Sequence, residues 1–183
     1  MAKLILGLAG EMGSGKGTVA KYIIDKYQGN SHRFSTVLRN ILDRLYLLQS
    51  RENMQELSTL LRQKFGEDIL AKVMYQDVLL DKNEIITIDG VRRMADIKYL
   101  REIPHFKLIF IEADIEKRYE RIHKRTENSN DQTISFEEFV EEQKQEAESQ
   151  VRELKSQANY LINNNGSFES LYTQVDEIIY PFK

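Results

Sequence analysis

The segment Gly10-Glu11-Met12-Gly13-Ser14-Gly15-Lys16-Gly17-Thr18 constrains this chain more than any other. It follows Leu4 to Ala9, a near-continuous apolar run of strand length, as expected of a strand buried on both faces. It precedes Lys16 to Tyr27, where Val19, Ile23, Ile24 and Tyr27 recur at helical spacing. A strand, a glycine-rich turn and a helix in this order make a cradle for phosphate. The glycines let backbone N–H groups turn inward, the helix N-terminus adds the positive end of its dipole, and Lys16 can reach the β- and γ-phosphates of a nucleotide. A plain turn would leave a conformationally costly run of glycine unexplained. Gly13, Ser14, Gly15, Lys16, Gly17 and Thr18 are therefore the candidate nucleotide-binding residues.

The rest of the chain alternates extended and helical segments, a rhythm that predicts a parallel α/β sheet. A short extended piece around Arg33 to Ser35 precedes a helix with the stripe Leu38, Ile41, Leu42 and Leu45, for which Ser35 is the expected N-cap. A second helix carries Met54, Leu57, Leu61 and Phe65 and stops at Gly66, and a third begins near Asp68. No strand signal appears between Thr36 and Leu80, so this stretch reads as a helical insert. Strands resume at Glu84 to Asp89, Phe106 to Glu112 and Tyr160 to Ile162. A basic helix from Ile115 to Arg125, a polar stretch from Thr126 to Thr133 and one long charged helix from Phe136 to about Ser156 lie between the last two. Ser135 and Glu138 form a capping box at the start of that helix.

Composition narrows the chemistry. The 183 residues suit one domain, and 26 Lys and Arg against 29 Asp and Glu leave a formal charge of -3, which gives no reason to expect a nucleic-acid partner. With no Cys and three scattered His, thiolate zinc, iron–sulfur clusters, disulfides and cysteine nucleophiles are excluded, and a metal is expected to be a hard cation on oxygen. No stretch is long and apolar enough for a signal peptide or membrane span, so a cytoplasmic protein is expected. Asp89 follows an apolar strand, which puts its carboxylate beside the phosphate loop, well placed for Mg²⁺ and its waters. Arg118, Arg121 and Arg125, at i, i+3 and i+7, share one face of the basic helix.

The loop departs from the common form, in which Ser or Thr directly follows the Lys and binds Mg²⁺, because Gly17 intervenes before Thr18. This Gly-Lys-Gly-Thr form resembles adenylate kinase and related nucleoside monophosphate kinases, which leaves Thr18 as a candidate metal contact completed by phosphates and water. Phe34 to Arg39 is similar to the segment that opens the acceptor-binding helices of that family, and the resemblance implies that Arg39 grips the acceptor phosphate. Arg39 is also expected in the first turn of its helix, where the macrodipole opposes a cation. The resemblance places a further acceptor-phosphate arginine at Arg93, by adenylate kinase spacing, or at Arg92, by that of archaeal kinase-like relatives. It implies that Arg121 and Arg125 face the phosphates from the lid helix. Asn159 to Gly166 resembles dephospho-CoA kinases and small nucleotide kinases, which implies adenine contacts at Asn165 and Gly166.

The fold implied is a three-layer P-loop NTPase with a five-stranded parallel sheet, a helical acceptor-binding insert and a short lid. Its core spans 1–35, 84–125 and 157–183, the insert 36–83, and the lid with its helix 126–156. The implied activity is ATP- and Mg²⁺-dependent phosphorylation of a nucleoside or deoxynucleoside monophosphate by a monomer or homodimer. Lys16, Asp89, Arg121 and Arg125 would act in catalysis, and Thr18 and Asp89 would hold the metal. Two alternatives stand beside it: a dephospho-CoA kinase, whose hydroxyl acceptor needs a base such as Asp89, and a nucleotide-binding regulatory ATPase. Arg51, Asn53, Gln55 and Arg62 are the insert residues able to read an acceptor base.

Overall fold

The computed structural model describes residues 2–124, 132–143 and 146–182. Five parallel strands form one sheet: β1 (Leu4–Ala9), β2 (Asn30–Arg33), β3 (Ile85–Val91), β4 (Phe106–Glu112) and β5 (Tyr160–Asn163). Their spatial order is β2-β3-β1-β4-β5, which places β1 at the centre. Alternating side chains of β1 feed two cores. Leu4, Leu6 and Leu8 pack with Val19, Ile23, Ile111, Leu171 and Val175, while Ile5 and Ala9 pack with Phe34, Leu38, Met74, Ile88 and Phe110. Both faces of the parallel sheet are covered by helices. Each fully buried Leu or Ile contributes about 1.5–3 kcal/mol through removal from water.

The first core lies under α1 (Lys16–Tyr27) and α8 (Phe168–Ile179). The second lies under the insert helices α2 (Phe34–Arg44), α3 (Arg51–Phe65) and α4 (Ile69–Leu80). As expected, no strand falls within the insert, and Gly66, at φ 102°, ends α3. Ser35 is not the cap of α2. The extended piece ends at Arg33, which is the N-cap without a side-chain hydrogen bond, and Phe34 already occupies the first helical position. The buried Phe34 ring is drawn into the core, so apolar burial overrides the polar cap signal. Arg39 therefore lies in the second turn, out of reach of the dipole argument made for it.

Two carboxylates fasten α4. Asp68 accepts from Lys98 Nζ (2.8 Å) and Tyr99 Oη (2.7 Å) and pairs with Lys72, and these donors hold it well below the usual carboxylate range. Asp81 accepts from Asn30 Nδ2 (2.7 Å) and the Asn83 backbone N–H (2.9 Å), with His32 Nε2 at 2.7 Å. Burial pushes Asp81 up, but these bonds outweigh it and lower its pKa to about 2.

Beyond β4 come α5 (Ile115–His123), α6 (Phe136–Glu142) and α7 (Glu146–Glu153). The capping box of Ser135 and Glu138 is present, but the single long helix expected from Phe136 is two helices followed by a 3-10 turn over Leu154–Gln157. Most of the polar stretch, with Arg125, lies outside the described residues. No described helix is long and apolar enough to cross a membrane.

Candidate functional site

The phosphate loop leaves the central strand and enters α1 at Lys16. Its carbonyls are tied by its own Lys16 and by side chains from distant elements. Lys16 Nζ donates to Gly10 O (2.7 Å) and Glu11 O (3.0 Å). Arg118, 4% exposed, donates through Nη1 to Met12 O (3.2 Å) and Gln143 Oε1 (2.7 Å) and through Nε to Ala113 O (3.1 Å). Its Nη2 lies 3.2 Å from Glu11 Oε2, and its guanidinium covers the Phe139 ring. Arg121 donates to Gly13 O (3.4 Å) and Asn164 O (2.8 Å), and Asn164 Nδ2 donates to Ser14 O (2.7 Å). With carbonyls held from outside, the loop keeps the shape that presents its N–H groups to an anion.

Three loop glycines, Gly10, Gly13 and Gly15, combine a positive φ with a neighbour that a Cβ would strike, at Gly10 the Ile111 carbonyl. At Gly13, φ 79°, a Cβ would stand 2.6 Å from Arg118 O; at Gly15, φ 107°, it would stand 2.2 Å from Asn164 Nδ2. Ser14 is fully buried and its Oγ has no hydrogen-bond partner among the described residues. Gly17 and Thr18 lie in the first turn of α1, Gly17 exposed and Thr18 half-buried.

Asp89 pairs in register with Leu8 of β1 on one side and Arg33 of β2 on the other. Its carboxylate is buried, and Arg33 donates to Oδ2 through Nε (3.0 Å), with Nη2 also 3.0 Å away. No group of three or more His, Asp or Glu residues that could hold a metal occurs among the described residues. The expected cation ligands Asp89 and Thr18 would need phosphate and water oxygens to complete a shell. Both are oxygen donors of the right chemistry, and Lys16 opens α1 two residues before Thr18, so the residues present fit a magnesium nucleotide.

On the insert side, Arg39 donates to Gln49 Oε1 (3.0 Å). Arg92 is exposed, and Arg93 Nη1 lies 3.4 Å from the exposed Glu67. The turn carrying both arginines is pinned by Asp96, whose Oδ2 accepts the N–H groups of Arg92 and Arg93 (3.0 Å each). Asp96 Oδ1 accepts from buried Arg62 Nη2 (2.8 Å). Arg62 is thus a buried structural residue and not a reader of an acceptor base, and Asn53 Nδ2 is spent on Leu48 O (2.7 Å).

The β5 segment meets the loop through Asn164, the residue before the two expected. Asn165 instead joins Asp114, accepting its backbone N–H at 2.8 Å, and its carbonyl accepts from Lys117. Sequence reasoning also missed Arg33 and Glu11, and left Arg118 out of the site. The basic stripe was the available signal for Arg118: its innermost member is the one turned beneath the loop.

A central strand, a tied phosphate loop and a strand-end Asp on the adjacent strand define a P-loop kinase-like α/β domain. The sequence profile described as AAA domain matches residues 9–140, so the chain belongs to that family. A UPF0200 protein of Staphylothermus marinus is 29% identical over 94% of this chain and 89% of its own length, and that of Methanocaldococcus jannaschii is 28% identical over 96% and 89%. In fold the chain is similar to the shikimate kinase of Bacteroides thetaiotaomicron (TM-score 0.66, 14% identity, 97% of each chain covered). It is equally similar to TT1252 of Thermus thermophilus (TM-score 0.66, 16% identity, 100% of each chain).

Proposed function

We propose that this chain transfers the γ-phosphoryl group of ATP to the phosphate of a nucleoside or deoxynucleoside monophosphate. The observation that carries this reading is the Asp89 carboxylate, which is engaged by Arg33 as a charge partner and not left as a proton acceptor. A phosphate acceptor is already ionised near neutral pH and needs no base. An acceptor oxygen attacks the γ-phosphorus, the bond to the β-bridging oxygen breaks, and ADP leaves with that electron pair, giving a nucleoside diphosphate with no proton transferred.

Such a reaction depends on positioning and charge neutralisation. Lys16 leaves the carbonyls of Gly10 and Glu11 to hold the β- and γ-phosphates. Arg121, fixed between Gly13 and Asn164, adds charge on the donor side, and Arg39 with one of Arg92 and Arg93 clamps the acceptor. A Mg²⁺ held at Asp89 and Thr18 would neutralise phosphate charge.

A hydroxyl acceptor is the second reading. It is favoured by the shikimate kinase folds, one of which was solved in complex with shikimate (TM-score 0.55, 14% identity, 97% of this chain and 92% of that one). A panel of ribo- and deoxynucleoside monophosphates, dephospho-CoA and shikimate, each with Mg²⁺ and ATP, tests both, with products identified by phosphorus NMR. A nucleoside diphosphate is expected, and Lys16→Ala should lower turnover about 10²–10³-fold with thermal unfolding unchanged. A phosphate ester on a hydroxyl overturns the proposal, and ATP loss independent of any acceptor supports the regulatory ATPase instead.

A further inference from the structure

Arg39 and Asp43 stand four residues apart on α2, the spacing at which opposite charges on a helix meet. Two other pairs of that spacing close directly, Lys21–Asp25 at 2.8 Å and Asp68–Lys72 at 3.2 Å. Arg39 and Asp43 do not. Gln49 lies between them: its Oε1 accepts from Arg39 Nη1 (3.0 Å), and its Nε2 donates to Asp43 Oδ1. The side chains of Arg39 and Asp43 have no other bond or ion pair among the described residues. The backbone delivers Gln49 to this position. α2 ends in a left-handed residue, Tyr46 at φ 57°, with Tyr46 N–H on Asp43 O (3.0 Å) and Leu47 N–H on Leu42 O (2.9 Å), which turns the chain back on itself. Tyr46 is 89% exposed, so burial of its ring does not explain a conformation that a bulky side chain rarely adopts. Gln49 then directly precedes Ser50, the N-cap of α3, whose Oγ accepts the Asn53 N–H (3.1 Å).

An arginine lying on a carboxylate takes an anion only by giving up that charge partner, whereas one steadied by a neutral amide keeps its full charge. Gln49 uses one of the five guanidinium N–H groups and leaves the rest for a ligand. α2 starts one residue after Arg33, the register partner of Asp89, which sets its first turns at the carboxyl edge of the sheet where the phosphate loop opens. Arg39 is half-buried there, and Asp43 is exposed.

We propose that Gln49 is a positioning residue that screens Arg39 from Asp43 and holds the guanidinium ready for the phosphate of the acceptor. The proposal deepens the phosphotransfer reading and rests on it in taking a phosphate as the ligand of Arg39. A glutamine that merely tied down the α2–α3 connection would leave anion affinity untouched when replaced.

The test is an NMR titration of the intact chain with inorganic phosphate, the phosphate loop being filled beforehand with Mg²⁺ and a non-hydrolysable ATP analogue. Gln49→Leu, in which Arg39 can fall onto Asp43, should bind phosphate about tenfold more weakly than the wild type. Crystals of this variant should show the two side chains in direct contact. Adding Asp43→Asn should restore affinity to within about twofold of the wild type, which a general loosening of the connection would not allow. Gln49→Glu keeps the shape but sets a carboxylate on Arg39, so it should bind as weakly as Gln49→Leu. Unchanged affinity in Gln49→Leu, no recovery in the double variant, or Arg39 standing clear of Asp43 in the crystal overturns the proposal, as does a wild type that binds no phosphate. Should Gln49→Leu fail to fold, wild-type affinity in Gln49→Glu overturns it in the same way. No turnover is measured, so an acceptor panel without product would strike the phosphotransfer reading and leave this result standing.

Discussion

The donor and acceptor halves of the site are built on opposite plans. On the donor side, Arg118, Arg121, Asn164 and Lys16 are each bonded to carbonyls of the loop they support. On the acceptor side, Arg39 reaches only as far as Gln49, Arg93 meets an exposed glutamate at 3.4 Å, and the α2–α3 connection exposes Leu45, Tyr46, Leu47 and Leu48. One half is pre-organised, with its cations already paid out to structure, while the other keeps its cations near the surface for a ligand to gather. Affinity on the first side is set before binding, and on the second it is reduced by the ordering that binding requires.

The largest contrast is expected from Arg118→Ala. Removing a buried guanidinium strands Gln143 Oε1 and the Met12 and Ala113 carbonyls and leaves Glu11 to Arg152, an effect of about 1–3 kcal/mol per stranded group on stability, and it should loosen the loop enough to weaken ATP binding as well. Urea denaturation and ATP titration measure the two losses, and wild-type stability would show that the donor half is not held in this way. Arg39→Ala should do the reverse. Stability should stay within about 0.5 kcal/mol and ATP affinity should be unchanged, while acceptor KM rises on the order of tenfold, equivalent to about 1.4 kcal/mol. An equal loss for both ligands would remove Arg39 from the acceptor clamp.

A third effect concerns where the insert is fastened to β2, and the stabilisation there is lost only in acid. The folded-state pKa of Asp81 is depressed, so its contribution is fully present above the unfolded value near 3.8 and is lost as pH falls toward about 2. The loss should reach about 2 kcal/mol at most. Acid unfolding of Asp81→Asn should lack that limb, and an identical acid profile in the two proteins would assign the insert's anchoring elsewhere.

What could be read from sequence was whatever local pattern decides. β4 has the expected bounds, α3 stops at Gly66, and the capping box of α6 is in place, because apolar runs, a left-handed glycine and a Ser–Glu pair act within a few residues. The start of α2 was misread because a buried Phe34 outweighed a polar cap. The long charged helix was expected to be continuous, but α6 ends at Glu142 with Gln143 as its C-cap, and the Gln143 side chain accepts from Arg118 of another helix. Arg33, Arg118 and Asn164 escaped the site prediction for one reason. Their partners are backbone carbonyls or a carboxylate brought near only by the finished sheet, and no spacing rule encodes that.

The outward ties of the phosphate loop also bear on how the chain folds. The bonds from Arg118, Arg121 and Asn164 close loops of 106, 108 and 150 residues. The loop is made early in synthesis, yet the carbonyls of Met12, Gly13 and Ser14 meet these partners only once α5 and then β5 have docked. Contacts of such separation form only after the closure entropy has been overcome by the rest of the fold. A fluorescent nucleotide added during refolding should therefore be captured after the sheet signal has appeared, and the motif nearest the N-terminus becomes a reporter of the last strand's arrival.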